Sequence, residues 1–212
     1  MRKLDRIPRE ILYRLHERGE RFFQQRELAV TCELSVGTVN PFIKELMRLG
    51  AIEGKPQGFR VVDTSRLLTY WSVKRDLPKD ITYTTYVPGR PREFESEMPS
   101  EAILTAYSGY RHKFGRTPTD YREVYVYADP EEMKRRFKPR PADKPNLFVL
   151  RFDDHLKRLS SDGVVPIAQL YVDLWQLGRP AGMFVKELEW ELKQRFTKGL
   201  EKIHMEGQTS DG

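Results

Sequence analysis

Between residues 35 and 62 the chain changes period. SVGTVNPFIKELMRLG repeats its apolar residues every three to four positions, and AIEGKPQGFRVVD repeats them every second. The first spacing belongs to an amphipathic helix and the second to a half-buried strand, and neither backbone suits the other's pattern. A helix must therefore give way to strands at Gly50, a favoured residue just past a helix end. Pro56-Gln57-Gly58 then folds the alternating stretch into a hairpin.

Two more helices precede this block. In IPREILYRLHERG, Ile7, Ile11, Leu12 and Leu15 make one apolar stripe, Pro8 sits in the tolerated first turn and Gly19 is a stop. QQRELAVTCEL places Leu28, Ala29 and Cys32 inward. A fourth helix, DTSRLLTYWSVKRDL, follows the hairpin with Asp63 or Thr64 as cap and Leu67, Leu68 and Trp71 on its apolar side. Helices at 7–18, 25–32 and 36–49, then a hairpin at 51–62, are the element order of a winged helix-turn-helix, expected over residues 1–77.

The third helix carries the chemistry. Val36, Val39, Ile43, Leu46 and Met47 fall on one face, with Ser35 as N-cap and Thr38 helping to satisfy the first turn. The opposite face carries Gly37, Asn40, Pro41, Lys44 and Arg48, which is the face a DNA major groove would meet. Gly37 would let backbone N–H groups approach a phosphate. Pro41 removes the helical bond to the Gly37 carbonyl. Either the helix bends slightly there, or regular helix starts only at Pro41 with Asn40 as its cap. An Asn40 amide facing outward can pair with adenine N6 and N7. Lys55 and Arg60 on the wing are candidate phosphate contacts. The expected DNA-binding set is thus Ser35, Gly37, Thr38, Asn40, Lys44, Arg48, Lys55 and Arg60.

The charge of this part suits a polyanion partner and an ordinary solvated basic surface about equally. Residues 1–80 hold 16 Lys+Arg against 11 Asp+Glu, whereas the remainder holds 21 against 20. Cys32 is the only cysteine, so an intrachain disulfide or a cysteine-based zinc cluster is impossible. No apolar run approaches the roughly 18 residues of a membrane span, and MRKLDRIPRE lacks the apolar stretch of a secretory signal. The expectation is a cytoplasmic protein with no membrane partner.

At LPKD, residues 77–80, the texture shifts to interleaved strands and helices, expected to form a mixed α/β domain over 81–205, with 206–212 as a flexible tail. The fold class is therefore α+β. ITYTTYV, EVYVYAD and NLFVLRF read as strands. SEAILTAYSGYRHKFG, DPEEMKRRF, VPIAQLYVDLWQLG and AGMFVKELEWELKQRFTKGLEKIH read as helices. VPGRPREFESEMP reads as a loop.

Two stretches resemble known regulators. LSVGTVNPFIKELMRLGAIEG resembles the recognition-helix and wing stretch of winged helix-turn-helix regulators, with a Leu-Ser turn, a following Thr-Val and a closing Leu–x–x–x–Gly. VPIAQLYVDLWQLGRPAG, with looser matches around it, is similar to the C-terminal region of AbiEi-type antitoxins, transcriptional regulators of type IV toxin–antitoxin systems. The resemblance implies a C-terminal domain that binds a partner or the operator flank and brings no catalytic motif.

Enzyme chemistry has weaker support. Asp153, Asp154 and His155 form an acidic-histidine cluster after a strand, of a kind metals favour, though a polar loop ending the strand is the preferred explanation. Glu132-Met133-Lys134 and Glu191-Leu192-Lys193 match a Glu–x–Lys nuclease fragment, yet both fall in expected helices, whereas that chemistry needs a core strand. Asp173 sits among Leu170, Leu174 and Leu177 and is expected to be a hydrogen-bonded structural carboxylate. Tyr107, Tyr110, Arg111, Arg116, Tyr121, Arg122, Tyr125 and Tyr127 interleave aromatics with cations, as single-strand binders do. Alternation of Val124/Val126 with Tyr125/Tyr127 is more simply a strand covered on both faces.

The expectation is an antitoxin-like, DNA-binding transcriptional regulator that contacts double-stranded DNA through the 36–49 helix and the 51–62 wing. It has no catalytic residue, metal or cofactor. A cognate toxin or other protein at the C-terminal domain, and a second copy of the chain, are the further partners this reading allows. The alternatives are a nuclease-like enzyme and a protein-interaction module without DNA binding.

Overall fold

A computed structural model describes residues 2–140 and 144–208, with side chains through 197. The chain is mixed α/β, with ten α-helices and two sheets among the described residues. It divides into two compact units: Lys74–Lys186, and Arg2–Val73 with the residues from Glu187 onward. The division lies a few residues before LPKD, and the later part of the last helix groups with the N-terminal elements.

In the unit that holds residues 2–73, α1 is Arg6–Glu17, α2 Gln25–Thr31 and α3 Val36–Arg48. The stripe Ile7, Ile11, Leu12 and Leu15 is buried against Leu28, Ala29 and Cys32 of the α2 region and Val39, Ile43 and Leu46 of α3. Each helix thus hides the face its 3.6-residue period predicts. Val36 departs from that pattern. It lies in the first turn of α3 and is 45% exposed.

The hairpin forms as β2 (Ile52–Lys55) and β3 (Gly58–Val61), paired antiparallel from Ile52↔Val61 to Lys55↔Gly58. A third strand, β1 (Phe22–Phe23), was not expected. It pairs with the other edge of β3, so the order is β1-β3-β2. Gly58 is required there, because a Cβ would collide with the Phe23 carbonyl and the Phe22 ring. α4 (Thr64–Lys74) begins where Asp63 accepts from the Arg66 backbone N–H at 2.9 Å, and it buries Leu67, Leu68 and Trp71.

Also in this unit, His16 near the end of α1 is 7% exposed, and neither ring nitrogen has a hydrogen-bond partner. Burial first, then the charges of Arg195 and Arg21, lower its pKa to about 3. It is a neutral core histidine.

The other unit is built on a four-stranded mixed sheet: β4 (Ile81–Thr85), β5 (Ile103–Thr105), β6 (Val124–Tyr127) and β7 (Leu147–Leu150). The order is β4-β7-β6-β5, with β6 and β7 parallel and the outer pairs antiparallel. All four residues of β6 are buried, as a strand covered on both faces requires. Phe94, Met133 and Phe137 pack with Val124, Val126, Leu147 and Val149.

Helices α5 (Pro91–Glu95), α6 (Ala106–Phe114), α7 (Pro130–Arg136), α8 (Asp154–Leu159) and α9 (Ile167–Trp175) surround the sheet, and α10 (Ala181–Gln208) starts in this unit. Two expectations are corrected. The helix expected over 100–115 starts only at Ala106, whose φ of 50° breaks it from the strand before it. Ile103 and Thr105, β-branched and paired with Tyr127 and Tyr125, take the sheet instead. The loop expected at 87–99 contains α5. The helix α10 reaches Gln208, inside the expected tail of 206–212, and 209–212 lie outside the described residues.

Candidate nucleic-acid interface

The start of α3 is fixed by its own sequence. Ser35 is extended (φ −76°, ψ 151°), and its Oγ accepts from the Thr38 backbone N–H at 3.1 Å and bonds the Thr38 hydroxyl at 2.8 Å. This excludes the start at Pro41 with Asn40 as cap. The hydroxyls of Ser35 and Thr38 hold the helix end, so any role at DNA passes through the backbone they position.

Pro41 then lies inside a continuous helix. Gly37, Pro41, Lys44 and Arg48 are all exposed and stand in one row along α3. Gly in a helix costs up to about 1 kcal/mol relative to Ala, and interior Pro about 3 kcal/mol. Packing does not require Gly37, since a Cβ there would meet only Ser35 Oγ, at an ordinary 3.6 Å. The residues least suited to a helix thus occupy its outward face.

The electrostatics of that face are one-sided. Lys44 and Arg48 have no ion-pair partner among the described residues. The one carboxylate of α3, Glu45, turns away and accepts from the Tyr70 hydroxyl at 2.5 Å. Burial first, then Glu45, raises the Tyr70 pKa, so its proton stays in that bond.

Asn40 is half-buried and donates through Nδ2 to Gln25 Oε1 at 3.0 Å. That bond holds the amide against the first residue of α2. It leaves Oδ1 and one N–H of Asn40 unspent, which is the acceptor–donor pair an adenine edge needs.

The wing is less free than its sequence implies. Lys55 Nζ and Arg60 Nη2 each lie 3.1 Å from the Glu53 carboxylate, one on each oxygen. Those neighbours, Lys55 first, hold the Glu53 carboxyl below the ordinary range. Lys55 and Arg60 are both exposed, as expected, but they share a carboxylate that a phosphate would have to displace.

Sequence reasoning missed the groove between these elements. A concavity of about 580 Å³ is lined by Gln24, Gln25, Arg26, Val36, Lys55, Gln57 and Gly58. Arg26 is exposed and without an ion-pair partner among the described residues. Gln57, at the wing tip, holds a left-handed φ of 66°. The exposed Val36 is the apolar member of this lining, which it shares with Arg26 and Lys55. The available signal was that Gln24, Gln25 and Arg26 are polar residues opposite the inward face of α2.

The competing sites resolve otherwise. Asp153 is the N-cap of α8, accepting from the Leu156 N–H at 2.7 Å, and His155 is fully buried. The three residues therefore do not form a polar loop. Among the described residues no three His, Cys, Asp or Glu side chains gather as a metal ion would need. Lys134 of the first Glu–x–Lys pairs with Glu131 at 2.7 Å, and Glu191 of the second with Arg195 at 2.8 Å, both on helices.

The tyrosines are internal. Tyr107 stacks on Tyr121, Tyr125 stacks on Phe148, and Arg111 is held by Glu95 and the Tyr121 hydroxyl. Asp173 is fully buried and accepts from Thr105 Oγ1 at 2.8 Å, Tyr127 OH at 2.7 Å, Gln169 Nε2 at 2.9 Å and Arg75 Nε at 3.2 Å. Arg75 also bonds Asp80. Burial opposes the Arg75 charge, but Tyr127, Asp173 and Asp80 outweigh it and raise its pKa. This buried, mutually hydrogen-bonded network is structural.

Comparison with protein-family models, curated proteins and solved structures finds no match to this chain.

Proposed function

We propose that residues 2–73 form a winged helix-turn-helix that binds double-stranded DNA, with α3 in the major groove and the β2–β3 wing beside it, and that the chain is an antitoxin-like transcriptional regulator. The observation that carries this reading is the outward face of α3. It pairs two cations that lack carboxylate partners among the described residues with a glycine that packing does not demand and a helix-breaking proline. A solvated face would keep good helix formers and balance its charges along the helix. A reading face needs close approach and uncompensated cations.

In this reading Lys44 and Arg48 contact phosphates and Asn40 contacts a base edge. Arg26 and Lys55 flank the groove where a strand of the duplex passes, and Arg60 adds a phosphate contact at the wing. Ser35 and Thr38 fix the helix end near Gly37. The Lys74–Lys186 unit serves a protein partner, a cognate toxin or a second copy of the chain. The reading gives no residue a catalytic, metal-binding or cofactor-binding role.

Titration of the full chain into a fluorescently labelled random-sequence duplex, at several salt concentrations, tests the proposal. Affinity that falls linearly on a log–log salt plot supports it. Absence of binding at low salt refutes it.

A further inference from the structure

Gly37 and Pro41 are separated by four residues, which is the span of one helical hydrogen bond. Pro41 has no N–H, so the bond that would end on the carbonyl of residue 37 is not made. The carbonyl so released belongs to the glycine, the residue whose missing side chain leaves that carbonyl most approachable. Both residues are exposed, and α3 continues through them without interruption from Val36 to Arg48. One turn of an exposed helix face therefore carries a main-chain acceptor without its usual helical donor, and the helix keeps its register.

Its neighbourhood is set to read a base. Asn40 lies three positions on, hence on the same side of the helix, and is tied to Gln25 at 3.0 Å. Lys44 follows one turn beyond, without a carboxylate partner among the described residues. A carbonyl cannot bind a phosphate, which also only accepts. In the major groove the donors that it can meet are the exocyclic amines, N6 of adenine and N4 of cytosine.

We propose that Pro41 frees the Gly37 carbonyl to accept from the exocyclic amine of one base, making a backbone atom a determinant of sequence preference. This rests on the duplex-DNA reading above. Pro41 acts through the carbonyl and is itself a positioning residue.

The experiment compares wild type and Pro41→Ala as full chains. Each is taken through selection from a random duplex library, then titrated with the selected site and with analogues lacking one exocyclic amine (purine for adenine, pyrimidin-2-one for cytosine). Alanine restores the N–H and the helical bond, so Pro41→Ala is expected to melt at a higher temperature. Wild type should lose roughly five- to tenfold in affinity when the amine at one position is deleted. Pro41→Ala should lose less than twofold at that position and keep the salt slope of wild type.

Equal losses in both proteins, or identical selected sequences, would overturn the inference while leaving the DNA reading intact. A uniform loss of affinity in Pro41→Ala would assign the proline to the bend of α3 and overturn it too. Failure of wild type to select any sequence would remove the DNA reading together with this one.

Discussion

Replacing Lys44 and Arg48 together by glutamine removes the two cations from the exposed row of α3. Each phosphate contact contributes about 0.9 to the slope of log affinity against log salt on duplex DNA, so two contacts contribute about 1.8. Extrapolated from 1 M salt, that slope amounts to a loss of roughly 60-fold at 0.1 M. Between 50 and 200 mM salt the affinity of the variant should fall by a factor about 12 smaller than that of wild type. Stability should change by no more than about 0.5 kcal/mol, because neither residue has an ion-pair partner among the described residues. Fluorescence anisotropy at three salt concentrations, with thermal melts of both proteins, reads both quantities. Lys55→Gln with Arg60→Gln is the comparison. Both residues already share Glu53, so binding there exchanges a carboxylate for phosphates, and the slope change should be smaller. A slope left unchanged by Lys44→Gln/Arg48→Gln in a folded protein would show that α3 does not face the DNA.

Gly37→Ala should raise stability by up to about 1 kcal/mol, since the site is open, and should weaken DNA binding; a variant that is both more stable and a full binder would deny Gly37 a role at the interface. Arg75→Met strands the buried carboxylates of Asp173 and Asp80 and should cost about 3–5 kcal/mol in denaturant unfolding, whereas a loss below about 1 kcal/mol would mean that the network is not held by its charge. Stability should fall as pH drops from the ordinary His16 value of 6.5 towards about 3, because the unfolded chain takes up a proton that the folded chain refuses. The His16 contribution is at most about 1.4 kcal/mol per pH unit. His16→Leu should flatten the curve between pH 6 and 4, and an unaltered curve would place the acid sensitivity elsewhere.

Local signals were legible in the sequence and long-range ones were not. Ser35 and Asp129 cap their helices as their residue types predict, with Asp129 accepting from the Glu132 N–H at 2.8 Å. Periodicity placed α1, α2, α3 and both hairpin strands within about two residues. It failed at Ile103–Thr105, because an apolar run ahead of a helix reads as more helix until its pairing with β6 is known. β1 is two residues long, too short for any period.

The candidate site shows the same division. The exposed row of α3 follows from helical spacing alone. The Asn40–Gln25 bond, the sharing of Glu53 by two wing cations and the groove around Arg26 each join residues from different elements. Asp173 was expected to be hydrogen-bonded, but its partner Arg75 lies 98 residues earlier in the chain, and no spacing rule links them.

Selection from a random-sequence duplex library by the full chain decides whether α3 reads duplex DNA. Wild type should enrich one motif, with one position relaxed by Asn40→Ala and overall recovery strongly reduced by Lys44→Gln/Arg48→Gln. A library that emerges unenriched from wild type, or a motif that both variants select as well as wild type does, would contradict it.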